Sequence, residues 1–192
     1  MLELIRAVPR KDVVQLGRGM PDITTPTLKP LLRALARLSR RQDMPGLHYD
    51  NIYGVLELRE QVARLMLDSG CQLGAGDLVI TTGCHEALST SIRAICEPGD
   101  IVAVDSPSFH GAMQTLKGLG MKALEIPTDP ITGISLEALE LALEQWPIKA
   151  IQLTPNCNNP LGYIMPEPRK RALLTLAPVS YTHLRAHETR ED

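Results

Sequence analysis

The sequence predicts an α/β protein with a mostly parallel sheet, and three observations support this fold class. First, short apolar runs rich in β-branched residues alternate with longer segments whose apolar residues recur at helical spacing. Second, the connections between them are short and rich in glycine, proline and asparagine. Third, strands that alternate with helices in this way form βαβ units, which join parallel neighbours in one sheet. The strands are predicted at 78–82, 101–104, 122–126 and 149–154.

The predicted helices are amphipathic, and several begin or end at residues that favour a helix terminus. Ser135 is suited to cap one helix, with Ala138 at the third helical position, so the cap is present without a full capping box. Gly70 and Gly120 are expected to end two others. The helical patterns cover approximately 31–38, 56–66, 86–95, 112–119, 135–144 and 166–177.

Composition excludes several functional classes. The chain has 192 residues, of which 44% are hydrophobic and 22% charged, which is typical of a globular protein of one or two domains. A net charge of −2 gives no general attraction to nucleic acid or to an anionic membrane. The sequence contains no apolar run of membrane-spanning length and no signal-peptide pattern, so we expect a cytoplasmic protein. The four cysteines form neither a C-x-x-C pair nor a zinc-site spacing, and we interpret them as reduced thiols.

One stretch indicates an anion-binding turn. The predicted strand 78–82 ends at Gly83, and a helical pattern follows directly. This arrangement presents free backbone N–H groups and the positive end of a helix to a ligand, most often a phosphate. A glycine that only lets the chain reverse is the alternative interpretation, because many α/β connections carry one.

Two further loops follow predicted strands and place chemically useful side chains at the same sheet edge. Phe109 follows the strand 101–104, and Asn159 precedes Pro160 after the strand 149–154. In open α/β sheets, ligands lie in the crevice at the carboxyl ends of the strands. Together with Gly83, these loops offer backbone donors, an aromatic ring and a side-chain amide, which suits a flat, phosphorylated, hydroxylated heteroaromatic.

Six motifs occur in an order that resembles a known family. The series resembles the fold type I, pyridoxal-phosphate-dependent aminotransferases of class I/II, and most closely the aminotransferase-like domain of MocR-type regulators of the GntR superfamily. The resemblance covers about residues 1–177 and implies a three-layer, aspartate aminotransferase-like large domain, only part of which is present. The motifs are LGRGMPD, YDNIYG followed by ELRE, TTGCHEAL, EPGDIVAVDSPSF, GMKALEIPTDPITGISLEAL and TPNCNNPLG.

The resemblance implies a role for each residue of the cofactor site. The backbone N–H groups of Cys84 and His85, after Gly83, would hold the phosphate of pyridoxal 5′-phosphate. Phe109 matches the aromatic residue that stacks on the pyridine ring, with a plain core position as the alternative. Asn159 matches the amide that donates to the phenolic oxygen of the ring, with a turn residue as the alternative.

Further matches concern the edge of the site. Tyr49 matches the tyrosine that reaches the neighbouring subunit's phosphate across a homodimer interface, although packing within its loop is the alternative. Gly17 and Gly19 match the segment that borders the substrate mouth. Asp105 lies where an acid often precedes the proline of the family, and we interpret it as structural. His85 and His110 flank the site, and we interpret both side chains as structural histidines.

The sequence lacks a match to the catalytic residue of the family. The cofactor's chemistry needs a lysine that forms a Schiff base, and in the family this lysine follows the NPLG loop. No acid matches the partner of the ring nitrogen, so we expect this chain to be inactive alone and assign it no catalytic residue. The lysines present are Lys11, Lys29, Lys117, Lys122, Lys149 and Lys170, and none matches the Schiff-base motif.

The end of the chain departs from the family pattern. We predict an N-terminal segment at 1–45, the first half of the cofactor domain at 46–177 and an unrelated, artefactual tail at 178–192. His183 and His187 lie four residues apart, a spacing that can hold a metal on one helix face. A third ligand is missing from their neighbourhood in the sequence, and we predict no metal site.

Two hypotheses remain for the parent protein. In the first, the domain binds the cofactor, and an amino-acid or amine effector, to control a DNA-binding domain that this sequence lacks. In the second, the chain is part of a free aminotransferase that transfers an amino group between an amino acid and a 2-oxo acid. In both, we expect a homodimer that contacts neither a membrane nor, through this segment, nucleic acid.

Overall fold

The computed structural model describes Asp12, Pro26, residues 28–40 and residues 51–176. The chain divides into two compact units, 1–50 and 51–192. Within the first unit, the structure describes one helix, α1 (Leu28–Leu38), which coincides with the predicted leucine stripe. The residues that lie outside the described ranges include several named above: Gly17, Gly19, Tyr49, His183, His187 and the whole of the predicted tail.

The second unit alternates strands and helices, as its sequence pattern predicts. A short 3-10 helix at Ala75–Asp77 precedes the first site loop. The helices of this unit are α2 (Leu56–Asp68), α3 (Cys84–Ile95), α4 (His110–Gly118), α5 (Leu136–Gln145) and α6 (Glu167–Leu176). Its strands are β1 (Ile101–Ser106), β2 (Lys122–Asp129), β3 (Gly133–Ile134) and β4 (Ile148–Gln152).

The four strands form one sheet in the order β3-β2-β1-β4. β1 is parallel to both β2 and β4, and only the two-residue β3 runs antiparallel, against β2. Ala103 pairs with Leu124 on one side and with Ile151 on the other. The carboxyl ends of β1, β2 and β4 therefore meet at one edge, and the prediction of a mostly parallel sheet is confirmed.

Alternation along β1 separates two cores, one on each face of the sheet. Val102 and Val104 are fully buried against residues of α3 and α4, including Ile92 and Leu116. Ala103 points to the opposite face and joins a second core. That second core contains Ile126, Ile134, Leu139, Ala142, Ile148, Ile151, Tyr163, Met165 and Leu173. Helices thus cover both faces, which gives the expected three-layer arrangement.

Local signals explain where the helices begin and end. The Ser135 side chain accepts a hydrogen bond from Ala138 N at 3.1 Å, as the predicted cap requires. After α2, Gly70 adopts φ +85° and its N–H donates to Leu67 O at 2.9 Å, so a glycine terminates this helix. Within the residues that the structure describes, none of the helices has the length and apolar character needed to span a membrane.

The strand predicted at 78–82 does not form. Leu78 has extended angles, φ −114° and ψ 138°, but the segment joins none of the four strands of the sheet. The Ile80 N–H donates to Tyr53 O at 3.0 Å, which ties the segment to the turn before α2. An apolar, β-branched sequence sets the extended backbone, whereas a strand also needs a neighbour along its length. The described part of the chain supplies no such neighbour.

Candidate functional site

The first part of the site is the turn that leads into α3. Gly83 has φ +148° and ψ 173°, a conformation that is essentially restricted to glycine. Ala87 N donates to Gly83 O at 3.1 Å and is the first donor within the helix, so the N–H groups of Cys84, His85 and Glu86 have no carbonyl acceptor in α3. All three residues are exposed. This helix terminus therefore presents three backbone donors, with the positive end of the helix dipole behind them.

A carboxylate braces this turn from within the helix. Glu86 Oε2 accepts hydrogen bonds from Thr82 N at 2.5 Å and from Thr82 Oγ1 at 2.6 Å. The bond from the Thr82 hydroxyl, followed by that from its backbone N–H, lowers the pKa of Glu86 below its ordinary value of 4.5. Because Glu86 takes up the donors of Thr82, the turn is fixed while the donors of the first helical turn stay available to an anion.

The second part is an aromatic cluster that links α3 to the loop after β1. The rings of His85 and Phe109 lie 5.8 Å apart, centroid to centroid, at 54°. The Phe109 and His110 rings lie 4.7 Å apart at 61°. A Cβ on Gly111 would sit 2.5 Å from both His85 Cε1 and Phe109 Cε1, so only glycine allows this approach. The structure thus brings two of the sequence-predicted residues, His85 and Phe109, together.

The third part is the loop after β4, where two adjacent asparagines have different environments. Asn159, the predicted site residue, is exposed. Asn158 is only 3% exposed. Its Nδ2 donates to Asp105 Oδ2 at 2.5 Å, and its Oδ1 accepts from Leu161 N at 3.1 Å. The loop is therefore attached to the end of β1 through Asn158, which the sequence analysis did not single out.

Asp105, interpreted from the sequence as structural, is the centre of this buried cluster. It is 2% exposed and also lies 3.4 Å from the donating hydroxyl of Tyr163. Burial raises the pKa of Asp105, and hydrogen bonds such as that from Asn158 offset part of the shift. Burial, together with the nearby Asp105 carboxyl, also raises the pKa of Tyr163. A sequence signal for the cluster does exist, since Asp105 ends one buried strand and Asn158 follows its neighbour.

Two buried side-chain amide oxygens at the same sheet edge have no hydrogen-bond partner within the described part of the chain. They are Gln152 Oε1, at the end of β4, and Asn156 Oδ1, in the loop that follows. Buried polar atoms are normally satisfied, so unpartnered acceptors beside a strand end suit a site that a polar ligand completes. Open backbone donors, an aromatic ring and these acceptors together fit a phosphorylated aromatic ligand.

Comparison with known proteins identifies relatives over most of the chain. The profile of the family described as "Aminotransferase class I and II" matches residues 11–184. The HTH-type transcriptional regulator YjiR of Escherichia coli is 56% identical over 177 residues, which cover 92% of this chain and 38% of that protein. The vitamin B6 salvage pathway transcriptional repressor PtsJ of Salmonella typhimurium is 34% identical, over 86% of this chain and 36% of the repressor.

Enzymes also match the chain, at lower identity. Aromatic-amino-acid aminotransferase 1 of Thermococcus litoralis is 28% identical over 91% of this chain and 43% of the enzyme. The structure of Pyrococcus horikoshii kynurenine aminotransferase in complex with PMP superposes with a TM-score of 0.80, at 27% identity, over 94% of this chain and 45% of the enzyme. The chain thus spans less than half the length of each of these relatives.

Proposed function

Because this chain belongs to the class I and II aminotransferase family, we propose that it is part of a domain that binds pyridoxal 5′-phosphate and controls a transcriptional regulator. The observation that carries the cofactor proposal is the meeting of two elements at one sheet edge. The open N–H groups at the start of α3 adjoin the ring of Phe109, because His85 belongs to that helix turn and also contacts the ring.

Residues of this chain would hold the cofactor at three points. The backbone N–H groups of Cys84 and His85 would bind the phosphate, where the helix end favours a dianion. Phe109 would stack on the pyridine ring, and the exposed Asn159 amide would donate to the phenolic oxygen. When bound, the ring supplies an electron sink for chemistry at an amino group. Tyr49, Gly17 and Gly19 stay predictions for the partner subunit's phosphate and for the substrate mouth.

The regulatory part of the proposal rests on a higher sequence identity to a regulator than to an enzyme. Identity to the regulator YjiR is 56%, twice the 28% identity to the Thermococcus aminotransferase over a similar share of this chain. In a regulator of this kind, an amino acid or amine would be the effector, and DNA would contact another domain of the same protein. The proposal includes a homodimer located in the cytoplasm, where bacterial DNA lies.

A free aminotransferase is the second candidate function. The observation that favours it is the similarity of the fold to that of the kynurenine aminotransferase, with a TM-score of 0.80. Sequencing the gene on both sides of this segment separates the two. A helix-turn-helix module in frame upstream supports the regulator, whereas a start site next to Met1 supports the enzyme.

The cofactor proposal is tested by removing one backbone donor while keeping the helix. Proline is favoured at the first helical position, so Cys84→Pro deletes the Cys84 N–H without breaking α3. Cys84→Ala, which keeps the N–H, is the matched control. The probe is pyridoxamine 5′-phosphate, whose amine cannot form imines with surface lysines, and its binding is measured by isothermal titration calorimetry on the 192-residue chain.

We expect Cys84→Pro to weaken binding by about tenfold, since a hydrogen bond to a charged group is lost. The alanine control should stay within about twofold of the wild type. Pyridoxamine, which lacks the phosphate, should bind both variants equally weakly. Equal affinity of the proline and alanine variants for pyridoxamine 5′-phosphate would place the phosphate elsewhere, and no binding by the wild type would overturn the proposal.

A further inference from the structure

We propose that Asn158, held by Asp105 and Tyr163, is the positioning residue that aims the Asn159 amide at the phenolic oxygen of the cofactor. The proposal rests on the proposed function, because it assumes that the ring binds beside this loop. It adds a buried group of three side chains, which we call the loop anchor, to the exposed residues that would touch the ligand. Of these three, only Asp105 received an interpretation from the sequence, and that interpretation was structural.

Every polar group of Asn158 is used to hold the loop. Its backbone N–H donates to Tyr163 O at 3.1 Å, and its carbonyl accepts from Gly162 N at 2.6 Å. The side-chain oxygen accepts from Leu161 N, while Nδ2 donates to Asp105 and, at 3.4 Å, to Thr154 O. A buried asparagine whose side-chain nitrogen and oxygen both form hydrogen bonds is held in the one orientation that makes those bonds.

The partners of Asn158 are themselves fixed by the core. Asp105 belongs to β1, which pairs on both sides with parallel strands. Tyr163 is 4% exposed and lies in the same core as Leu139 and Met165. A Cβ on Gly133 would approach Tyr163 Cε2 to 2.9 Å, so the ring packs directly on the backbone where β3 begins. The loop anchor therefore connects the loop to rigid strands rather than to solvent-exposed groups.

The Asn159 side chain differs from that of Asn158 in burial and in hydrogen bonding. It is exposed, and within the described residues its side chain makes no hydrogen bond that would hold it. An exposed amide on a mobile backbone loses rotamer and loop freedom when it binds, which weakens the bond it forms. Fixing the preceding residue on both its backbone and its side chain removes much of that cost. The geometry thus assigns ligand contact to Asn159 and its direction to Asn158.

The experiment compares two ligands that differ by one oxygen. Pyridoxamine 5′-phosphate carries the phenolic oxygen that Asn159 would contact, and 3-deoxypyridoxamine 5′-phosphate lacks it. Calorimetry on the 192-residue chain gives the ratio of their affinities, which reports this contact and not the phosphate contact. The variants are Asn158→Ala, Tyr163→Phe, and Asp105→Ala with the conservative Asp105→Asn, whose amide oxygen can still accept from Asn158. Asn159→Ala provides the reference for complete loss of the contact.

We expect the wild type to favour the ligand with the oxygen by about tenfold. Asn158→Ala and Asp105→Ala should lose most of this preference while they bind the deoxy ligand as the wild type does. Asp105→Asn should restore part of it, and Asn158→Ala should have no effect on the ratio in a chain that already carries Asn159→Ala. This dependence on Asn159 separates positioning from a general loss of structure.

Three outcomes overturn the inference. In the first, a variant weakens both ligands equally, which indicates a merely structural role. In the second, the anchor variants leave the ratio unchanged. In the third, the wild type binds both ligands equally well; the phosphate contact of the proposed function then stands, while the Asn159 contact and this inference fail. If Asn158→Ala does not fold, Tyr163→Phe decides, because it removes only the hydroxyl at 3.4 Å and should lower the ratio in part. Failure of the wild type to bind either ligand is a failure of the proposed function itself.

Discussion

The two ends of the candidate site are built in opposite ways. The phosphate end, residues 81–87, is a local turn in which each hydrogen bond joins residues at most four positions apart. It is exposed, and its donors belong to the backbone. The other end, the loop anchor, joins residues 53 and 58 positions apart, is buried, and consists of side chains.

This difference follows from what each end must do. A phosphate needs several N–H groups in an accessible concave turn, and a glycine followed by a helix supplies them without help from the rest of the fold. A single side-chain amide gives a directed hydrogen bond only if its backbone is held, and holding a loop requires contacts with another strand. We therefore expect mutations at the phosphate end to change mainly the local turn, and mutations in the loop anchor to change the stability of the whole fold.

The largest expected effect is the difference in stability between two single variants, Asn158→Ala and Asn159→Ala. Asn158→Ala leaves the buried Asp105 carboxyl without its short hydrogen bond, and such a loss costs about 3 kcal/mol or more of unfolding free energy. Asn159→Ala, at the exposed neighbouring position, should cost less than about 0.5 kcal/mol. Urea denaturation of both variants measures the difference. Equal costs would mean that the anchor does not stabilise the fold.

A smaller effect is expected at Gly83. With φ +148°, an alanine there is strained by its backbone alone, because no atom lies within 4 Å of the added Cβ. We expect Gly83→Ala to lower stability by about 1–3 kcal/mol and to weaken binding of pyridoxamine 5′-phosphate. Gly76→Ala is the matched control, since its Cβ also meets no atom and its φ is not in the positive region. A Gly83 variant as stable as the Gly76 variant would contradict the strain argument.

The buried acid of the anchor gives a pH dependence of defined sign. Burial raises the pKa of Asp105 above its ordinary value of 3.8, so the folded chain binds its proton more tightly than the unfolded chain. The stability that Asp105 contributes is complete below that value and is lost as pH rises through the folded pKa. Relative to Asp105→Asn, the wild type should therefore become less stable as the pH rises above 3.8 and through the folded pKa of Asp105. Urea denaturation of both proteins across this range measures the trend, and a relative gain in stability would refute it.

The sequence was sufficient for features that depend on neighbours along the chain. The glycine at 83, the helix after it, the serine cap at 135 and the alternation of strands and helices are all local patterns, and the structure has each of them. The parallel sheet follows from that alternation. The positions of Phe109 and Asn159 at one sheet edge follow in turn, because parallel strands bring their carboxyl ends together.

The features that the sequence did not yield depend on distant partners. Residues 78–82 have a strand-like composition, yet a strand forms only beside another one, and composition does not reveal the partner. Asn158 and Asn159 are identical as residues, and only the strand that carries Asp105 distinguishes the buried one from the exposed one. Asp105 was interpreted as structural, but its partners could not be identified from the sequence, since they lie more than 50 positions away.

The smallest expected effect is at Glu86, which should show the opposite pH dependence from Asp105. Hydrogen bonds from Thr82 lower the pKa of Glu86 below 4.5, so its contribution to stability is present above that value and is lost as pH falls through the folded pKa. Relative to Glu86→Gln, the wild type should lose stability only in the acidic range.

Two measurements check this prediction. Carbon-13 NMR of the Glu86 carboxyl group gives its pKa directly. Thr82→Val, which deletes the hydroxyl donor and keeps the N–H, should move this pKa back towards 4.5. Because the Glu86 carboxylate is exposed, salt should reduce the effect of Glu86→Gln on stability, whereas the effect of Asp105→Asn on stability should be insensitive to salt. Equal salt sensitivity at both positions would remove the distinction between an exposed phosphate end and a buried anchor.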